Sequence, residues 1–385
     1  MDFNFDEEIT ERSEDSLKWN SAGKNVLPMW VAEMDFRLPE FLKEELIRKI
    51  SAGSFGYFKL SEEFFKAVQF WLQSHHQLDV EKDFILPVPG VMSAVSAIIN
   101  TFTESGDQII IQPPVYNHFF NTIKNSEREI VENELILNGN QYEIDFKDLE
   151  TKASDPKAKI LLICNPQNPI GKVWRRETLE KIAAICEKND VMLISDEIHA
   201  DLSFKKYTPF YSVATDFNIE FFTVHSPCKA FNFPGLPIGY VLSNDNLQFS
   251  AIEKMLESRE NISVNTLSVT ALVASYNHGE KWLDKVKNYI HANYLFLNNF
   301  IKNHLPQIGV LPLEATYLVW LDCRKLNLNS DEITEKLLKN HHLLLNSGSM
   351  YGKSGDGFLR INIACTRKNL ETGLSQLREF VNDLS

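Results

Sequence analysis

The chain has 385 residues, 44% of them hydrophobic and 11% aromatic, and carries a formal net charge of −13. That length and apolar share suffice for a large buried core and for two domains. The acidic balance argues against nucleic acid or an anionic membrane as the main partner, and no apolar run reaches the roughly 18 residues of a membrane span.

The opening stretch MDFNFDEEITERSEDS is acidic and polar, unlike a signal or transit peptide, and the five cysteines are scattered with no CxxC pair. A cytoplasmic protein without disulfides or a metal site is expected. Asn261-Ile262-Ser263 fits a glycosylation sequon, which means nothing in that compartment.

Residues 1–28 read as an arm that leads into Met29-Trp30-Val31-Ala32-Glu33-Met34-Asp35-Phe36. Helical spacing of apolar residues predicts helices from Pro39 to Ile50 and from Glu62 to Leu72, separated by the breaker Gly53-Ser54-Phe55-Gly56-Tyr57. Ile85 to Gly90 reads as a turn-rich lead into a nearly uncharged helix from Val91 to Phe102. A helix start after a glycine presents unpaired N–H groups and a positive dipole end, so Gly90, Val91 and Met92 are candidates for holding a phosphate.

Strands and helices then alternate. Apolar strands are predicted at Gln108–Gln112, Lys159–Cys164, Val191–Ser195, Phe221–Val224 and Gly239–Leu242, with a helix over Arg176–Asn189. Continuous apolar strands separated by helices indicate an α/β fold with a mostly parallel sheet covered on both faces. Ligands of such sheets bind beyond the carboxyl ends of the strands. Tyr116, Asn168, Asp196 and Lys229 all fall just past predicted strand ends, which points to one shared site. A helical region from about Asn246 to Leu305, broken near His278-Gly279, precedes strands at Tyr317–Leu321, Leu343–Leu345 and Phe358–Ile363 and a closing helix over Arg367–Leu384. These make a smaller α+β lobe.

Lys229 begins a Pro/Gly-rich loop beside Phe231, Phe233 and Leu236. Partial desolvation there lowers an amine's pKa. An ordinary lysine near 10.4 is only about one part in 2,500 free base at pH 7, a limit that a lysine bonding to a carbonyl carbon has to escape. An aldehyde cofactor with a heteroaromatic nitrogen and a phosphate also needs an acid for the nitrogen, a donor for the phenolic oxygen and a phosphate cradle. Asp196, Asn168 and the Gly90-Val91-Met92 turn with Ser226 can supply these, and Tyr116 offers a ring to stack on. Each residue has a plainer reading: Asp196-Glu197 as a helix cap, Asn168-Pro169 as a turn, Tyr116 as core, Arg360 as a surface ion pair. The set weighs more than its members.

The whole pattern resembles fold-type I pyridoxal-phosphate enzymes of the class I/II aminotransferase superfamily, and within it the MalY/PatB group of C–S β-lyases. The shared landmarks are Met29 to Phe36, Phe55-Gly56-Tyr57, Pro114-Val115-Tyr116, Asn165-Pro166-Gln167-Asn168-Pro169, Ser195-Asp196-Glu197-Ile198-His199-Ala200-Asp201, the Lys229 segment and Leu359-Arg360-Ile361-Asn362.

The resemblance implies pyridoxal 5'-phosphate as cofactor and a seven-stranded sheet in a large domain over 51–284. The arm (1–50) joins a C-terminal domain (285–385) as the small domain. It implies Lys229, Asp196 and Tyr116 as the catalytic set, with Asn168, His199, Ser226, Gly90, Val91 and Met92 around the cofactor. Arg360 and Ala32 would meet the amino-acid substrate. A homodimer is implied, in which Tyr57 reaches the partner's cofactor phosphate and borders its substrate. Pro237 stands where transaminases commonly carry a phosphate-binding arginine, and Ser226-Pro227-Cys228-Lys229 replaces the commoner Ser-x-Ser-Lys; Glu33, Ile170 and Ser347 also depart from the usual residues. The expected reaction is β-elimination from cystathionine or cysteine-like amino acids to pyruvate, ammonia and a thiol. Transamination uses the same residues and stays open, as does a binding or regulatory protein that keeps the fold.

Overall fold

The computed structural model describes residues 3–9, 15–21, 23, 25–57, 59–259 and 264–384. The sequon at 261–263 and part of the N-terminal arm lie outside them. Seven strands form one sheet in the spatial order Ile85–Val88, Gly239–Leu242, Phe221–His225, Met192–Asp196, Ala158–Cys164, Gln108–Ile111, Glu129–Glu132. The last five are mutually parallel, and Gly239–Leu242 runs antiparallel to both neighbours.

The inner strands are apolar throughout because both faces are covered. Ile160, Leu162 and Ile194 pack in one cluster with Ala94, Val95 and Ile98 of the Val91–Phe102 helix. Leu161, Ile163 and Leu193 pack on the other face with Leu179, Ile182 and Ala183 of the Arg176–Asn189 helix. Each of the fully buried leucine, isoleucine and valine side chains contributes about 1.5–3 kcal/mol.

Two differences from the sequence reading have physical causes. Ile85–Val88 is not a turn but the edge strand of the sheet, where Pro87 costs no ladder hydrogen bond on its open side. Between Tyr116 and Lys159, where periodicity marks no element, lie the helix Asn117–Asn125, the strand Glu129–Glu132, a hairpin of Ile136–Asn138 with Gln141–Glu143, and the helix Phe146–Ala153. These are short and largely half-exposed, so little apolar pattern marks them.

The helical region divides into Leu247–Ser258, Thr266–His278 and Glu280–His304, with the expected break at Gly279. The long third helix leads to a four-stranded antiparallel sheet of Gly309–Val310, Leu318–Asp322, Phe358–Asn362 and Asn346–Ser347. Leu27–Pro28 pairs parallel with Leu343–Leu344, which ties the arm to this lobe. A buried ion pair fastens the arm to the Trp30–Phe36 segment: Lys18 Nζ lies 3.1 Å from Asp35 Oδ2, and Trp19 Nε1 donates to Asp35 Oδ1 at 2.9 Å. Breaking such a pair by removing one partner costs about 3–5 kcal/mol.

Candidate active site

Strand register brings the C-terminal ends to one edge: Cys164 pairs with Asp196, and Asp196 with Val224. The loops leaving that edge enclose a pocket lined by Ala32, Tyr116, Asn168, Asp196, His199 and Lys229, with Val91 and Met92 from the first turn of the Val91–Phe102 helix. Four residues at the ends of separate strands therefore converge, as their spacing predicts. Asp196 is itself the last residue of its strand. Cys164 and Ile198 also line the pocket. The sequence signal for them is adjacency to the motif residues, since small or aliphatic side chains carry no chemistry of their own.

Burial sets the electrostatics. Desolvation lowers the Lys229 ammonium to a pKa of about 8, and the Arg360 guanidinium pushes the same way. Lys229 Nζ donates to the Ala32 carbonyl at 2.7 Å. Desolvation raises Asp196 to about 7, against the Ile198 N–H (3.1 Å to Oδ1) and the Lys229 charge. His199 is driven down to about 3 by burial, Lys229 and Arg360, so its ring is neutral, and it lies nearly perpendicular to the Tyr317 ring with centres 6.4 Å apart. Burial and the Asp196 charge push the Tyr116 phenol up to about 12.

Arg360, on the Phe358–Asn362 strand of the small sheet, reaches across to the large one. Its Nη1 donates to Asn168 Oδ1 (3.0 Å) and its Nη2 to the Trp30 carbonyl (2.9 Å), while the guanidinium lies 4.9 Å from the Tyr351 ring centre. Holding the Asn168 oxygen this way fixes the amide and leaves its NH2 for a ligand acceptor. The loop that carries Asn168 turns at Gly171, where φ is +65° and an added Cβ would lie 2.8 Å from Leu313 Cδ1. Only glycine meets both conditions.

The Trp30–Phe36 segment forms a strap over the pocket, and three asparagines hold it. Asn362 Nδ2 donates to the Val31 and Glu33 carbonyls (2.6 and 2.7 Å), and Asn346 Nδ2 to the Trp30 carbonyl (3.1 Å). Asn232 pairs with both the N–H and the carbonyl of Met34 and with the Phe36 carbonyl. In the sequence Asn362 stands out only as part of a motif; its contacts are to backbone, which no residue pattern reveals.

Other expected residues stand elsewhere. Ser226 Oγ donates to the Ile238 carbonyl (2.6 Å) and accepts from the Cys228 N–H (3.2 Å). Gly90 caps the Val91–Phe102 helix, with Pro237 3.9 Å from where a Cβ would lie. Tyr57 is fully exposed, outside this chain's own pocket, beside the half-exposed Phe55.

These residues suit pyridoxal phosphate. His199 Nδ1 and Arg360 Nε are buried without a hydrogen-bond partner, the Asp196 carboxylate lacks a cation strong enough to keep its pKa low, and a helix start faces the pocket. An amine, a carboxylate, an amide and free N–H groups are the donor set that such a group needs.

The family model for aminotransferase class I and II matches residues 25–377. The chain belongs to that family. Cystathionine beta-lyase PatB of Bacillus subtilis is 37% identical over 382 residues, covering 97% of this chain and 99% of its own. Protein MalY of Escherichia coli is 30% identical, covering 92% and 91%. Among solved structures, cystalysin from Treponema denticola, which contains a pyridoxal 5'-phosphate cofactor, superposes with a TM-score of 0.97 at 33% identity over the full length of both chains. The seven-stranded, mostly parallel sheet with its covering helices is the fold of these structural neighbours.

Proposed function

We propose that the protein is a pyridoxal-phosphate-dependent C–S β-lyase that cleaves cystathionine-like and cysteine-like amino acids to pyruvate, ammonia and a thiol. The observation that carries this reading is the convergence of Lys229, Asp196 and Asn168 on one pocket in a chain 37% identical to a cystathionine β-lyase. When bound, pyridoxal phosphate supplies an electron sink that acidifies the substrate's α-carbon.

The chain's own residues do the rest. Lys229, its amine lowered to about 8, can remove the α-proton. Asp196 would hold the heteroaromatic nitrogen of the bound cofactor protonated, and that cation would return its buried carboxylate to the ionised form. Asn168 would donate from its fixed amide to the cofactor's phenolic oxygen. The Val91 and Met92 N–H groups, with Gly90 ahead of them, would cradle the phosphate, with no arginine at Pro237; Ser226 would join them only by giving up its bond to the Ile238 carbonyl. Tyr116 would stack on the cofactor ring; its phenol, raised to about 12, stays protonated at working pH and can donate toward a departing sulfur. The neutral His199 would pack beside the cofactor ring, and the Ala32 backbone would close over the substrate. The five buried free cysteines fit a reducing cytoplasm.

The test is a pyruvate and thiol assay with cystathionine, cysteine and S-alkyl cysteines. Stoichiometric pyruvate and thiol are expected. Steady amino-group exchange between an amino acid lacking a β leaving group and an oxo acid, without pyruvate from any of the three, would establish the transaminase instead.

Arg360 is the substrate-carboxylate clamp in this reading. A bidentate charge-assisted pair is worth about 1.5–3 kcal/mol, so Arg360→Ala is expected to lower kcat/KM by about 10- to 100-fold, mainly through KM. Arg360→Lys should recover little, because one ammonium cannot span a carboxylate while replacing contacts to Asn168 and Trp30. Steady-state kinetics on cystathionine checks both, and an unchanged KM in the alanine variant would remove Arg360 from the role.

A homodimer is inferred from the exposed Phe55 and Tyr57, with Tyr57 completing the partner's site. Mixing Tyr57→Ala subunits with Lys229→Ala subunits should restore about a quarter of the wild-type sites by random reassortment, since mixed dimers hold one intact site each. Restoration of none would mean that Tyr57 does not serve across an interface.

A further inference from the structure

A second cavity, about 520 Å³, opens between the C-terminal end of the Glu62–His76 helix, the loop at 200–212 and the first turns of the Glu280–His304 helix. It shares no lining residue with the Lys229 pocket. One side is built on Asp201, whose Oδ1 accepts from Trp71 Nε1 (2.9 Å) and His76 Nε2 (2.8 Å). Burial would raise this carboxyl, but His76 and Trp71 outweigh it and hold it below the usual range. Its charge is thus answered within the protein. Arg176 is also engaged, with Glu180 and Asp216 at 2.8 Å each.

Of the remaining charged groups that line the cavity, three are lysines and one, the exposed Asp284, is a carboxylate. Lys205, Lys206 and Lys287 line the cavity, and among the described residues none of them has a carboxylate within ion-pair distance. Lys287 is half-buried, and desolvation lowers its pKa despite Asp201 and the exposed Asp284 nearby. Ser203 Oγ and His75 Nε2 are buried without a hydrogen-bond partner. The nearest carboxylate to His75 Nε2 is Glu280 at 3.9 Å, and the His75 ring lies flat on Trp71 with centres 3.6 Å apart. On a chain of net charge −13, three lysines on one concave surface, none in a close ion pair among the described residues, run against the whole-protein field and favour anions locally.

We propose that this cavity binds a small polyanion with two or three neighbouring negative charges, held by Lys287, Ser203 and His75 inside and by Lys205 and Lys206 at the mouth. Its size suits a metabolite rather than a macromolecule. Phosphate esters and polycarboxylates share the required chemistry. Binding here is independent of the reaction proposed for the Lys229 pocket.

Calorimetric titration of the cofactor-loaded protein at low salt, with pyrophosphate and separately with citrate, tests it and separates the two sources. One ligand per chain is expected for at least one of them, with a Kd below about 1 mM. Lys287→Met should weaken binding by about tenfold or more. The double variant Lys205→Ala/Lys206→Ala, altered only at exposed side chains, should weaken it and reduce its salt dependence even if the Lys287 variant folds poorly. Lys302→Ala, on an exposed face elsewhere, should leave it unchanged. No saturation by either ligand at about 10 mM, or wild-type affinity in both lysine variants, would overturn the proposal.

Discussion

Lys229→Ala is expected to lose pyruvate release by at least about 10⁴-fold and to lose the covalently held cofactor with it. Lys229 supplies the one primary amine among the residues lining the pocket. Its pKa of about 8 leaves about a tenth of it as free base at pH 7, some hundreds of times more than an ordinary lysine offers. The amine is held in the partly buried pocket by its hydrogen bond to the Ala32 carbonyl, 2.7 Å away. Anchor and base are then a single group, so one substitution should remove two measurable properties. Borohydride reduction of the wild-type protein followed by peptide mapping should find the adduct at residue 229, and the alanine variant should yield none. Pyruvate release within tenfold of wild type would refute the assignment, as would an adduct on a different lysine.

The catalytic part of this site is legible in the sequence because the sheet is. Continuous apolar strands announce where they end, and a polar residue just beyond such an end has few structural reasons to be there. Asp196, Asn168, Tyr116 and Lys229 stand out on that ground. Asn232, Asn346 and Asn362 do not. Each acts on carbonyls of the Trp30–Phe36 strap, far away in sequence, and a donor aimed at backbone leaves no pattern in the residues it serves. The edge strand Ile85–Val88 is hidden by Pro87 and Pro89, which read as turn residues in the absence of a known edge. Arg360 is legible as a residue but not as a bridge, since its contact to Asn168 spans 192 positions.

Asp196→Asn is expected to have opposite effects on turnover and on the stability of the cofactor-free protein. With cofactor bound, the carboxylate faces a ring cation in a buried site, and removing one partner of such a pair costs about 3–5 kcal/mol, which corresponds to a loss of turnover of about 10³-fold. Without cofactor no such cation is present, and the folded-state pKa sits at about 7 against an ordinary 3.8. A carboxyl raised in the folded state contributes stability that is fully present below its unfolded pKa, near 4, and is lost as pH rises through 7. At pH 8 the buried charge therefore disfavours folding by on the order of 4 kcal/mol, and the isosteric amide removes that term. The cofactor-free Asp196→Asn variant should melt above its parent at pH 8 and lose that advantage below pH 4. Glu197 supplies the contrast, since burial also raises it to about 7. Unlike Asp196 it accepts from Ser195 Oγ (2.8 Å), the Phe210 N–H (3.0 Å) and the Tyr207 hydroxyl. Glu197→Gln would force an NH2 group among those donors and should destabilise the cofactor-free protein at the same pH. If both amides shift the melting temperature the same way, the Asp196 carboxylate is not waiting for a cation, and its part in the reaction falls with that.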